Sequence, residues 1–65
     1  MPIIRIDLLE GRTIEQKKKL AEAITTVVME ILGVERNIVT IIFNDLPKTN
    51  LAKGGILASE IKSNE

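Results

Sequence analysis

A short stretch that is apolar on both faces of a strand constrains the fold of this chain most. Residues 38–43 read Ile-Val-Thr-Ile-Ile-Phe, with Thr40 as the one polar side chain. A strand of this kind is covered on both faces. In a chain of 65 residues, a single helix covers only one face of a two-stranded sheet. We therefore expect another copy of the chain to cover the opposite face.

Another strand is predicted at the start of the chain. Residues 3–9 alternate between two faces, and Ile4, Ile6 and Leu8 share one of them. Two strands joined by a long helix form a β-α-β unit with parallel strands and a right-handed crossover. Because an isolated two-stranded sheet is not stable by itself, this unit again favours an oligomer.

Between the two strands the pattern predicts an amphipathic helix of about five turns. Thr13 and Gln16 have the spacing of a capping box at its start. Gly33 is well placed as its C-terminal stop. Apolar residues recur between these positions at spacings of three and four, and the lysines at 17–19 belong to the polar side.

The least regular stretch covers residues 45–55. Pro47 and the pair Gly54 and Gly55 predict turns there. Residues 56–61 fit a short strand, a helical turn or an arm packed on a neighbouring copy, and the pattern does not choose between them. We assign residues 1–65 to a single domain of the α+β class.

Composition and charge exclude several classes of partner. Nine Lys and Arg residues balance nine Asp and Glu residues, and Phe43 is the one aromatic residue. We therefore expect no nucleic-acid partner. No apolar run approaches the roughly 20 residues of a membrane span, and the chain start lacks a signal-peptide pattern. A soluble cytoplasmic protein that does not bind membranes is expected.

The residue inventory also limits the chemistry. The chain contains no His and no Cys. This excludes His-paired and thiolate nucleophiles, and it leaves carboxylates alone as metal ligands. We expect no metal site.

Pro2 is the candidate general base. If the initiator Met1 is removed, Pro2 carries a free secondary amine. A free α-amine titrates at roughly pH 7.7–8.0, and burial lowers the pKa of an amine by disfavouring its charged form. Such an amine suits general-base work near neutral pH. The alternative is that Met-Pro is an ordinary start with no chemical role.

Arg12 is the candidate anion-binding residue. It lies in the turn before the predicted helix. Its planar guanidinium can hold a carboxylate by two parallel hydrogen bonds. The alternative is a surface arginine. Asp7 and Glu10 are interpreted as surface charges.

Several motifs together resemble the 4-oxalocrotonate tautomerase family, and the likeness runs nearly end to end without a gap. They are Pro2-Ile3-Ile4, then Leu9-Glu10-Gly11-Arg12-Thr13 with Glu15-Gln16-Lys17, then Gly54-Gly55 with Leu57-Ala58. The resemblance implies a β-α-β protomer with a small C-terminal hairpin. It also implies assembly of the homo-oligomer as a hexamer, built as a trimer of dimers.

The resemblance also implies roles for particular residues. Pro2 matches the family's catalytic base, which is exposed by loss of the initiator methionine. Arg12 matches an arginine that binds a substrate carboxylate, and Leu9 matches a position that contributes its backbone near the active site. Two positions depart from the family pattern: Thr40 stands where the best-known members have a second arginine, and Leu51 stands where they have an aromatic residue.

The candidates to replace the second arginine are other cationic residues of the chain. Arg36 or Lys53 from a neighbouring protomer is the candidate, and we include Arg36 among the expected substrate-binding residues with Leu9 and Leu51.

The expected function is that of an isomerase. It would be a keto-enol tautomerase that converts small 2-hydroxy-dienoates or enol 2-oxo acids to their keto forms, without a cofactor. Two alternatives remain open. One is a related decarboxylase, dehalogenase or hydratase on the same scaffold; the other is a non-catalytic oligomeric homologue.

Overall fold

The computed structural model describes residues 2–61. Its regular elements are β1 (Ile3–Leu9), α1 (Ile14–Leu32), β2 (Thr40–Leu46), β3 (Ala52–Lys53) and β4 (Ile56–Leu57). Short 3₁₀ turns lie at Arg36–Ile38, Lys48–Asn50 and Ala58–Glu60. β1 and β2 form a parallel sheet, and β3 and β4 form an antiparallel hairpin. The predicted β-α-β unit with parallel strands is confirmed, as is the C-terminal hairpin implied by the resemblance.

The parallel sheet has two chemically distinct ends. β1 and β2 pair in register from Ile3 opposite Thr40 to Leu9 opposite Leu46. Beyond the first pair, the Thr40 N–H donates to the Pro2 carbonyl oxygen at 3.0 Å. Pro2 and Thr40 therefore mark the N-terminal end of the sheet, whereas Leu9 and Leu46 mark its C-terminal end.

The predicted bounds of the second strand were wrong at both ends. The pattern placed it at residues 38–43, whereas β2 spans Thr40–Leu46 and Ile38 closes a 3₁₀ turn. The Val39 N–H donates to the Arg36 carbonyl oxygen at 3.2 Å, which turns the chain before the strand begins. An apolar run does not distinguish residues of a turn from residues of a strand.

β2 continues through two polar residues because both of them have partners. Asn44 lies opposite Asp7 in the register, and its Nδ2 donates to Asp7 Oδ1 at 2.9 Å. Asp45 accepts a hydrogen bond from the Lys17 ammonium of α1. These long-range contacts hold the strand beyond the hydrophobic segment that predicted it.

The predicted ends of the helix are confirmed. The Gln16 N–H donates to Thr13 Oγ1 at 3.0 Å, and the Thr13 N–H donates to Gln16 Oε1 at 3.0 Å. This reciprocal pair satisfies backbone donors that a helix start leaves open. At the other end, Gly33 adopts a left-handed φ of 70° and its N–H donates to the Met29 carbonyl oxygen. A glycine adopts this conformation without the steric penalty of a side chain.

A tight β-hairpin organises the C-terminal stretch, residues 52–61. Gly54 and Gly55 have φ values of 62° and 84°, and two successive positive φ angles define the tight turn favoured in two-residue hairpins. After β4, the Ala58 N–H donates to the Leu51 carbonyl oxygen at 2.8 Å. Of the possibilities left open, residues 56–61 thus combine a short strand with a helical turn.

The protomer has no closed core. Ile4, Ile6 and Leu8, which were predicted to share one face of β1, are all half-buried. No side chain is buried anywhere in residues 2–61. The radius of gyration is 14.8 Å, against about 11 Å for a compact chain of this length.

Large apolar side chains are exposed on both outer surfaces of the protomer. On the sheet, Ile3 is 58% exposed and Ile42 is 40% exposed; on α1, Val27 and Ile31 are 51% and 76% exposed. Large exposed apolar surfaces on a protein mark interaction sites. The arrangement agrees with the expectation that other copies cover the sheet.

Candidate active site

A cleft of about 550 Å³ lies at the C-terminal end of the sheet. It separates the end of β1 from the C-terminal unit, which consists of the hairpin and its flanking 3₁₀ turns. Its volume is in the range of small-molecule sites. The residues that line it are Asp7, Leu8, Leu9, Arg12, Lys48, Leu51, Lys53, Ala58 and Ile61. The fold thus brings Leu51 to Leu9 and Arg12, although it lies far from both of them in the sequence.

Local backbone chemistry places Arg12 at the cleft. Gly11, just before it, has a φ of 113°, a conformation that favours glycine. Thr13, just after it, begins the capping box of α1. Because both neighbours are fixed, the backbone of Arg12 is held between the end of β1 and the start of the helix.

Leu9 and Leu51 supply apolar wall on the two sides of the cleft. Leu9 ends β1, and Leu51 precedes the hairpin; both are half-buried. The Leu51 carbonyl oxygen accepts the Ala58 N–H, so the C-terminal unit closes around this residue. Apolar walls lower the local dielectric and strengthen charge interactions with a bound ion.

The charges at the cleft are mostly positive. Arg12, Lys48 and Lys53 line it, with Asp7 as the one carboxylate among the lining residues. Asp7 Oδ1 already accepts a hydrogen bond from Asn44. In a chain of zero formal net charge, this local excess of cations favours a negatively charged ligand.

Pro2 lies at the opposite end of the sheet. All of β1 and the two residues after it separate Pro2 from Arg12. At about 3.3 Å per residue, β1 alone spans roughly 20 Å. Pro2 is half-buried beside Thr40, the position at which the resemblance predicts a second arginine. One copy of the chain therefore does not bring the predicted base and the predicted anion-binding arginine together.

Arg36 also lies away from the cleft. It occupies the 3₁₀ turn before β2, and its Nη1 donates to Glu22 Oε1 at 3.0 Å. Its Nη2 lies 3.4 Å from Thr26 Oγ1. The guanidinium is thus held on α1, toward the N-terminal end of the sheet, and its role in substrate binding remains a prediction.

Lys48 is a cleft residue that the sequence analysis did not single out. It begins the 3₁₀ turn after Pro47. The proline predicted the turn, but no local pattern predicted that Lys48 would line the same cleft as Arg12. That placement follows from how the C-terminal unit docks, which is a long-range property.

No group of His, Cys, Asp and Glu residues within the described part of the chain is arranged to hold a metal ion. No helix between residues 2 and 61 is long and apolar enough to cross a membrane.

Comparison with known proteins assigns the family. The family model described as "Tautomerase enzyme" matches residues 2–60. A probable tautomerase of Streptococcus pneumoniae is 50% identical over 48 residues, covering 74% of this chain and 80% of its own length. The 2-hydroxymuconate tautomerase of Comamonas testosteroni is 38% identical over 61 residues, covering 94% of this chain and 97% of its own.

Solved structures agree with this assignment. A 4-oxalocrotonate tautomerase isozyme from Methylibium petroleiphilum superimposes with a TM-score of 0.85 at 41% identity, over 89% of this chain and 91% of its own. A heterohexameric 4-oxalocrotonate tautomerase from Chloroflexus aurantiacus J-10-fl gives a TM-score of 0.87 at 35% identity, over 95% and 100%. The fold is that of the 4-oxalocrotonate tautomerase homologues. The chain belongs to the tautomerase family, which supports an enzyme of the isomerase type.

Proposed function

We propose that this chain catalyses the conversion of small 2-hydroxy-dienoates, or of the enol forms of 2-oxo acids, to their keto forms. The single observation that carries the proposal is the cleft that unites Leu9, Arg12 and Leu51 in a member of the tautomerase family. The 2-hydroxymuconate tautomerase of Comamonas testosteroni supports this substrate class.

Pro2 is the proposed general base. Met1 lies outside the described residues, and its removal would free the Pro2 nitrogen as a secondary amine. In an apolar site the neutral amine is favoured, because desolvation lowers the pKa of an amine. The amine takes the proton of the 2-hydroxyl group and returns a proton to a carbon of the diene, so the reaction is balanced without a cofactor.

Arg12 is the proposed anchor of the substrate carboxylate. A bidentate guanidinium–carboxylate pair fixes both the position and the orientation of the acid. Leu9 and Leu51 exclude water from the rest of the ligand, which strengthens this charge interaction. The bound acid is then oriented for proton transfer.

The complete site would be shared between copies in a homo-oligomer. In one chain, the roughly 20 Å length of β1 lies between Pro2 and Arg12, and no side chain within residues 2–61 is buried. A two-fold pairing in which the sheets run in opposite directions places the N-terminal end of one sheet beside the C-terminal end of its partner. The heterohexamer of Chloroflexus aurantiacus supports a hexamer for this chain. Its cytoplasmic location stays a prediction.

The first test is enol-to-keto conversion of 2-hydroxymuconate and phenylenolpyruvate, followed by ultraviolet absorbance on protein whose intact mass shows Met1 removed. We expect both substrates to be converted. A matched variant carries one alanine inserted between Met1 and Pro2, so that the Pro2 nitrogen is an amide. It should lose the activity, whereas Lys18→Ala, on the exposed side of α1, should keep it. Equal rates in the two variants would remove Pro2 from the mechanism.

A further inference from the structure

We infer that Lys48 and Lys53 form a second anion-binding position in the cleft, and that they make the enzyme prefer substrates with a second carboxylate. This inference rests on the proposed function, in which Arg12 takes the first carboxylate. Thr40, at the N-terminal end of the sheet, cannot supply a second positive charge. In this inference the two lysines of the C-terminal unit supply it instead.

The first observation is that both lysines have fixed backbones at the rim of the cleft. Lys48 starts a 3₁₀ turn in which the Asn50 N–H donates to the Pro47 carbonyl oxygen at 2.8 Å. Lys53 ends β3, where it pairs with Ile56 across the tight hairpin turn. The two ammonium groups are thus carried by different elements of one unit.

The second observation concerns their partners. Lys17 and Arg36 make ion pairs with Asp45 and Glu22. Within the described residues, Lys48 and Lys53 make neither an ion pair nor a side-chain hydrogen bond, yet both line the cleft. Their charge is therefore available to a bound anion.

The third observation is the separation of the cations in the fold. Arg12 belongs to the connection between β1 and α1, whereas the lysines belong to the C-terminal unit. A carboxylate held by Arg12 leaves the lysines to interact with the far end of an extended acid. Lysine suits this role because its ammonium is a mobile point charge that does not require bidentate geometry.

The test compares two unreactive acids, trans,trans-muconate and sorbate, on the processed full-length protein. Both are six-carbon dienes, and sorbate has a methyl group where muconate has its second carboxylate. Calorimetric titration of the wild type should show tighter binding of muconate by about tenfold or more, as expected for a charge-assisted contact. The double variant Lys48→Gln with Lys53→Gln should lose this preference.

Matched variants separate charge from structure. Lys18→Gln, on the exposed side of α1, should retain the preference for muconate. Lys53→Arg with Lys48→Gln should recover part of it, because one cation is restored. A double lysine variant that keeps the wild-type preference, or one that loses affinity for both acids equally, would overturn the inference.

Steady-state kinetics test the role of the two lysines independently of the titrations. In the double lysine variant, the ratio of kcat/KM for 2-hydroxymuconate to that for phenylenolpyruvate should fall about tenfold, and an unchanged ratio would contradict the inference. Binding of muconate and sorbate involves no proton transfer. A wild-type protein that converts neither enol would therefore refute the proposed function, while the titrations would still decide the role of the lysines.

Discussion

The two ends of the parallel sheet differ in what they contribute. At the N-terminal end, Pro2 and Thr40 share a backbone hydrogen bond, and the nearby Arg36 is paired with Glu22. At the C-terminal end, a cleft of about 550 Å³ combines apolar wall with three cations. One end holds the candidate base, and the other holds the candidate substrate-binding groups.

This difference explains why the protomer alone is an incomplete catalyst in our account. β1 holds its two ends roughly 20 Å apart, and the bonds of the β1–β2 ladder do not allow them to approach. The same protomer exposes large apolar side chains on its sheet and helix. Burial of that surface between copies is the step that would bring the two ends together.

The largest effect is expected at the N-terminal end. Pro2→Ala replaces the secondary amine by a primary amine with different basicity and position. We expect kcat/KM for 2-hydroxymuconate to fall by about 10²–10⁴, the usual contribution of a positioned general base. Steady-state kinetics measure it, with Lys18→Ala as the control. A loss below threefold would show that the secondary amine of proline is not needed for the reaction.

The pH dependence of kcat/KM is a second test of Pro2 as the general base. Because a base must be unprotonated, kcat/KM should rise with pH through the pKa of the Pro2 amine and then level. A site that excludes water would lower that pKa below the roughly 7.7–8.0 of an exposed terminal amine, because desolvation disfavours the charged form. A wild-type profile that gives a pKa at or above that of an exposed terminal amine would contradict a site that excludes water.

A smaller effect is expected at the C-terminal end. Arg12→Ala removes a charge-assisted contact with the substrate carboxylate, which corresponds to about a 10- to 100-fold loss in kcat/KM. We expect it mainly as a raised KM. Arg12→Lys should recover only part of the loss, because an ammonium does not reproduce the bidentate pair. Full recovery by lysine would argue against that geometry.

Local signals in the sequence predicted most of the protomer. The alternation in residues 3–9, the capping box at Thr13 and the C-terminal Gly33 each depend on neighbours only a few residues away. The structure confirms all three. The strand predicted at residues 38–43 was displaced because Asn44 and Asp45 are stabilised by Asp7 and Lys17, which lie far away in the sequence.

The candidate site was predictable only in part. The resemblance identified Pro2, Leu9 and Arg12 as members of one site, but no periodicity revealed that they occupy opposite ends of a sheet. Lys48 illustrates the same limit. Its turn followed from Pro47, whereas its position at the cleft depends on how the C-terminal unit docks.

The smallest effect is expected from the cap that positions Arg12. Thr13→Ala removes the hydroxyl that accepts the Gln16 N–H. We expect a loss of about 1 kcal/mol in the free energy of unfolding and a raised KM, measured by thermal denaturation at fixed protein concentration and by kinetics. Lys19→Ala, exposed in the same helix, is the control. An unchanged Tm would mean that the capping box does not stabilise the helix start.

The most direct test of a site shared between copies is complementation between two impaired variants. Pro2→Ala and Arg12→Ala chains are unfolded together, refolded as a mixture and assayed with 2-hydroxymuconate. If each site takes Pro2 from one chain and Arg12 from another, random mixing gives intact pairs in about a quarter of the sites. We therefore predict recovery of about a quarter of the wild-type rate. A mixture no more active than the two variants refolded separately would contradict the account.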